Sequence, residues 1–123
     1  YVDESSLYPT VAQAVEMIHA ADGLAFLAHL FLYAHGEAIY QRLGGLQQET
    51  GLDGIECRHS VFTPEQARRL EQFCARHGLL PSGGSDYHGS RKPEVRLGNE
   101  GGLTVPETFL DHWPRQVLDR ALP

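Results

Sequence analysis

The 123-residue sequence has little of several residue types, and each scarcity narrows its reading. Lysine occurs once, at Lys92, and methionine once, at Met17. Ten Lys and Arg stand against sixteen Asp and Glu, so the net charge is −6 with His neutral. That balance argues against a broad nucleic-acid-binding surface, which would be basic, but leaves room for a small phosphate pocket. Only two cysteines are present, Cys57 and Cys74, with no Cys-x-x-Cys pair, which argues against a zinc cluster. Both fall in apolar periodic segments and read as reduced core thiols of a cytoplasmic protein. No apolar run approaches the ~20 residues of a membrane-spanning helix, and no secretory pattern opens the chain. There is no His-x-His element. The chain opens on Tyr1 with its sole methionine internal, and is therefore expected to be a trimmed or excerpted piece.

What is present begins with three apolar runs that end in polar residues. Leu24 to Ala28 runs into His29; Gly54 to Cys57 is followed by Arg58 and His59; Leu79 to Ser82 leads into Gly83-Gly84-Ser85-Asp86-Tyr87-His88-Gly89. In an extended segment residues i and i+2 share a side, so Asp86 and His88 can address one divalent ion or two neighbours. The same tract also suits a plain polar turn. In parallel α/β folds the C-terminal strand ends lie on one face, which carries the chemistry.

The helices fall between these runs. Pro9-Thr10 and Asp22-Gly23 bound a helix over 9–22, with Val11, Ala14, Val15, Ile18 and Ala21 as its apolar stripe. A second helix is expected over 37–49, with a break at Gly44-Gly45. Thr63-Pro64-Glu65-Gln66 starts a third, which Arg76-His77-Gly78 closes. Strands are expected over 24–28, 53–57 and 79–82. Beyond Gly98 short helical pieces at 107–112 and 115–122 are broken at Pro114, with Leu110, Trp113, Val117 and Leu118 packing on the body.

Leu27-Ala28-His29, Leu52-Asp53-Gly54-Ile55-Glu56 and Gly83-Gly84-Ser85-Asp86-Tyr87-His88-Gly89, in this order, resemble the second half of a PHP (polymerase and histidinol phosphatase) domain. The similarity runs from about Val11 to Gly98 and points to the branch of nucleoside 3',5'-bisphosphate phosphatases and RNA-trimming enzymes. The resemblance implies the fold class: α/β, the C-terminal portion of a distorted (β/α)7 TIM-like barrel, here three parallel strands with flanking helices. Residues 1–98 would be the C-terminal part of the catalytic domain and 99–123 an irregular, helical extension. Such a piece would need the missing N-terminal half of the barrel as partner, and its open sheet edges would favour a homo-oligomer.

The resemblance carries over His29, Asp86 and His88 as metal ligands. Pro usually follows the first of these in the family, whereas Leu30 stands here. Mixed oxygen and nitrogen donors suit manganese, iron or zinc, with two or three ions in a complete site. Such ions activate water for hydrolysis of phosphate esters, in a phosphorylated small molecule, a nucleotide or an RNA end, with no membrane partner. His59 would donate to a phosphate oxygen or protonate the leaving alkoxide, or else serve a structural role. Glu56 would orient a neighbour from inside the barrel. Arg91 and Lys92 would clamp the substrate phosphate, or else form an exposed basic turn. Ser85 lacks a G-x-S-x-G elbow and is expected to cap the turn. The rival readings are an amidohydrolase-like metallohydrolase, which would want a strand-borne His-x-His, and a non-catalytic binding or scaffold fragment. With part of the ligand set, the chain alone is expected to be inactive.

Overall fold

In the computed structural model, residues 7–98 and 103–121 are described. Three strands form one sheet in the order β1 (Phe26–Leu27), β2 (Gly54–His59), β3 (Leu80–Gly84), parallel throughout. Helix α1 (Val11–Ala20) leads into β1, α2 (Ala38–Thr50) connects β1 to β2, and α3 (Pro64–His77) connects β2 to β3. Parallel neighbours need such crossovers. Because all three strands run the same way, their C-terminal ends open at one end of the sheet. The fold is thus α/β with three parallel strands and flanking helices.

Helix α3 forms where its termini are encoded. Thr63 and Gln66 make a reciprocal capping box, Pro64 opens the first turn, and Gly78 ends the helix at φ 64. That left-handed angle suits glycine. Ala67, Leu70, Phe73 and Cys74 are buried on one face, and the last three share a core cluster with Ile55 and Cys57 of β2. Helix α1 uses the same box, Thr10 with Gln13, and is shorter than 9–22 because Pro9 and Asp22 lie outside its caps. Helix α2 runs unbroken through Gly44-Gly45, contrary to the expected break. Ile39 and Leu43 anchor it in the core, and tertiary packing of one face outweighs weak propensity.

Strand β1 is two residues long rather than five: the Ala25 N–H goes to the Asp53 carboxylate before its start, and the backbone turns left-handed at His29 (φ 36) beyond its end. Strand β2 extends two residues beyond the expected 57, through a register shift between Glu56 and Arg58. His59 is therefore the last residue of a strand and not a loop residue. Gly54 leaves space that a side chain would fill: a Cβ there would lie 2.2 Å from the Phe26 ring and 2.4 Å from the Leu80 carbonyl oxygen.

The segment after residue 102 packs on this body. Leu103 and Phe109 are buried, and the Trp113 ring stacks on Phe26 at 4.9 Å. Trp113 Nε1 donates to the Pro81 carbonyl at 3.0 Å. Pro81 has no N–H to offer a ladder and sits in an edge strand, where proline is tolerated. Phe109, not Leu110, is the buried anchor of residues 107–112, and Leu110 is exposed. These residues form a 3₁₀ helix, whose three-residue turn shifts which side chain faces inward. Pro114 separates it from α4 (Arg115–Ala121). No helix among the described residues is long and apolar enough to cross a membrane.

Candidate active site

The strand ends bring His29, His59 and the Ser85–His88 loop to one end of the sheet. The His29 N–H donates to Glu56 Oε2 at 2.7 Å, and its Nδ1 is buried without a partner among the described residues. Its ring lies 5.1 Å from that of Tyr33 and 6.3 Å from that of His59, edge-on. Glu56 thus orients His29 through the backbone, a role more specific than the sequence suggests.

His59 is 4% exposed. Its Nδ1 accepts the Val61 backbone N–H at 3.2 Å. A ring whose Nδ1 accepts carries its proton on Nε2 when neutral. That Nε2–H is a buried donor with no acceptor among the described residues. With that bond in place, the neutral His59 ring presents Nε2–H as a donor.

The opposite tautomer is set at His88. Its Nδ1 lies 2.7 Å from the Asp86 carbonyl oxygen. Since a carbonyl only accepts, Nδ1 carries a proton, and in the neutral ring Nε2 keeps its lone pair. Metal-bound histidines have this arrangement, with the second nitrogen donating to a carbonyl or carboxylate. Asp86 leaves β3 at φ 60, a left-handed angle that Asp tolerates better than most residues. Its Oδ2 accepts from the Lys92 ammonium, and Oδ1 is 3.4 Å from His88 Nδ1. The hydrogen bond from Lys92 holds the Asp86 carboxyl below the usual carboxylate range. The Lys92 charge and the imidazoles of His88 and His59 act in the same direction, against the effect of burial. Arg91 ends the 3₁₀ turn Gly89–Arg91 and is exposed. Ser85 is buried, and its carbonyl accepts from Ser60 Oγ at 3.0 Å.

The donors match a transition ion in kind: an unpartnered nitrogen on His29, a lone pair on His88 and a carboxylate on Asp86. Among the described residues, however, no three His, Cys, Asp or Glu side chains converge to hold an ion. The chain offers a partial set, with Asp86 engaged by Lys92. Nothing periodic in the sequence announces that pair; the only signal was the chain's one lysine, six residues after Asp86. A cavity of 250 Å³ touches His59, Arg58, Ser60 and Thr63. A larger one, 540 Å³, lies between α3, β3 and residues 108–112 and contains none of the strand-end residues, so volume does not mark this site.

No protein-family model matches the chain. It is 31% identical over 104 residues to a 3',5'-nucleoside bisphosphate phosphatase of Chromobacterium violaceum, covering 85% of this chain and 34% of that protein. It is 29% identical over 118 residues to the 5'-3' exoribonuclease Rnm of Escherichia coli, covering 92% of this chain and 39% of the other. A solved structure from Bifidobacterium adolescentis, described as a metal-dependent phosphoesterase, superposes with a TM-score of 0.66 at 29% identity, over 94% of this chain and 38% of that one. The chain spans little more than a third of the length of the curated relatives it matches. In sequence and in fold the chain is similar to one part of these phosphoesterases, in keeping with the PHP-type resemblance of its motifs.

Proposed function

We propose that the chain is part of a metal-dependent phosphoesterase that hydrolyses phosphate esters of nucleotides or RNA ends with a metal-activated water. Its three strands would be the C-terminal portion of a distorted (β/α)7 barrel. The observation that carries the reading is the pair of buried imidazole nitrogens, His29 Nδ1 and His59 Nε2, that find no partner among the described residues and stand at parallel strand ends. Buried polar atoms without partners are rare in folded proteins, and here they stand at the end of an α/β sheet where ligands bind. The substrate class draws support from the names of the two curated relatives.

His29, Asp86 and His88 would hold divalent ions together with donors from outside the described residues. A bound ion supplies positive charge to the phosphoryl oxygens and acidifies a water. The mixed donor set supports manganese, iron or zinc, two or three in a complete site. His59, with its Nε2–H directed by the Val61 bond, donates to a phosphoryl oxygen or to the departing alkoxide. Arg91 supplies a planar fork for a phosphate, and Lys92 a second cation once free of Asp86. The two free, buried thiols support a reducing, cytoplasmic setting.

The test uses a longer protein that contains this chain, at the length of its relatives. Hydrolysis of a nucleoside 3',5'-bisphosphate should stop on chelation and return with manganese. Turnover that survives both chelation and Asp86→Asn would refute the reading.

A further inference from the structure

Lys92 is the chain's only lysine, and its ammonium is bound to the carboxylate that the site most needs. The loop is built to place it there. Asp86 departs from β3 at φ 60, and the backbone curls through Gly89–Arg91, where Arg91 N donates to His88 O and Lys92 N to Gly89 O, each at 3.3 Å. This turn returns Lys92 to Asp86 Oδ2 six residues after the carboxylate. Among the charged partners that the structure gives Asp86, Lys92 is the one permanent cation; the others are the imidazoles of His88 and His59. The side chains are 42% and 22% exposed. An ion pair this open to water is weak and can be exchanged by a cation of higher charge.

The geometry points to Lys92 as a resident cation on Asp86 that exchanges with a divalent ion. With the ion absent, the ammonium neutralises the carboxylate and closes the loop. With the ion present, Asp86 turns to it, and Lys92 is released at the strand ends, where a substrate phosphate arrives. Ion binding thereby precedes and arms the phosphate clamp. This inference rests on the reading of Asp86 as a metal ligand.

The experiment uses a longer protein that contains this chain, at the length of its relatives, and two readouts independent of turnover. Acetylation of Lys92 by acetic anhydride, followed by mass spectrometry, reports whether the amine is engaged. Equilibrium dialysis reports bound Mn²⁺. Without metal, Asp86→Asn should speed acetylation of Lys92 severalfold. Mn²⁺ should speed it in the wild-type chain and leave Asp86→Asn unchanged. Lys92→Met should bind Mn²⁺ roughly threefold to fivefold more tightly, the scale of one partly exposed ion pair. Equal acetylation in wild type and Asp86→Asn without metal would overturn the pairing. Bound Mn²⁺ with unchanged acetylation, and an affinity that Lys92→Met does not alter, would overturn the exchange and leave Asp86 a ligand. No Mn²⁺ bound by either the wild type or Lys92→Met would overturn both the exchange and the reading that these residues hold an ion.

Discussion

Glu56 holds His29 by its backbone: the carboxylate Oε2 accepts the His29 N–H at 2.7 Å, where the chain turns left-handed at φ 36. A non-glycine residue in that region costs roughly 1–2 kcal/mol, and a hydrogen bond to a charged acceptor offsets a cost of that size. The other carboxylate oxygen faces β3, 3.3 Å from where a Cβ on Gly84 would sit. One side chain on the central strand thus touches the ends of both outer strands. Its position beside the register shift of β2 lets it reach both.

Glu56→Ala should accordingly lower stability by about 1.5–3 kcal/mol, the range for a lost charge-assisted bond. Glu56→Gln, which keeps an acceptor, should lose less. Urea unfolding measures both. Equal midpoints for Glu56→Ala and the wild type would mean that His29 is held by something else.

Asp86 and Ser85 are neighbours with different expected roles. In a longer protein carrying the chain, Asp86→Asn removes the anionic donor while keeping the shape, and phosphatase activity should fall by at least about a hundredfold, the scale on which a charge-stabilising catalytic group acts. Ser85→Ala should change activity severalfold at most, because the proposed nucleophile is water. Steady-state kinetics with manganese decides between them. Matching losses for the two variants would indicate a covalent serine mechanism.

Much of this arrangement was legible in sequence where local chemistry is strong. Thr63-Pro64 and Gly78 mark α3 because caps act within a single turn. The placement of His29 and Asp86 just past strands follows from apolar runs that end in polar residues. Long-range packing was not legible. The seating of Ile39 and Leu43 carries α2 through Gly44-Gly45, and the irregularity at Glu56–Arg58 draws His59 into β2. Nor were the hydrogen bonds that set opposite tautomers at His59 and His88, since each depends on one backbone group of a loop.

The two thiols should be silent in the folded chain. Cys57 and Cys74 are buried, with their sulfurs hydrogen-bonded at 3.5 Å and not joined in a disulfide. The hydrogen bond to Cys74, then burial, pushes the Cys57 thiol above its ordinary range, which suppresses the reactive thiolate. An aromatic disulfide reagent should find no thiol under native conditions and two in urea, at a rate that tracks unfolding. Rapid reaction of either in the native chain would contradict this packing.

Two glycines should respond in opposite senses to the same substitution. Gly45 lies inside α2, and an added Cβ would meet nothing nearer than a Glu49 side-chain oxygen at 4.0 Å. Gly45→Ala should therefore stabilise by up to about 1 kcal/mol, through helix propensity and a less flexible unfolded chain. Gly54 admits the Phe26 ring and the Leu80 carbonyl, at 2.2 and 2.4 Å from the same added atom. One of these contacts is backbone and cannot rotate away. Gly54→Ala should destabilise by about 1–3 kcal/mol or more and displace Phe26 from Trp113, the contact that seats the C-terminal segment. Thermal melts give the sign of each change, and the fluorescence of the single tryptophan reports the displaced stack. A Gly54→Ala chain with unchanged melting and emission would show that β1 and β2 do not approach each other this closely.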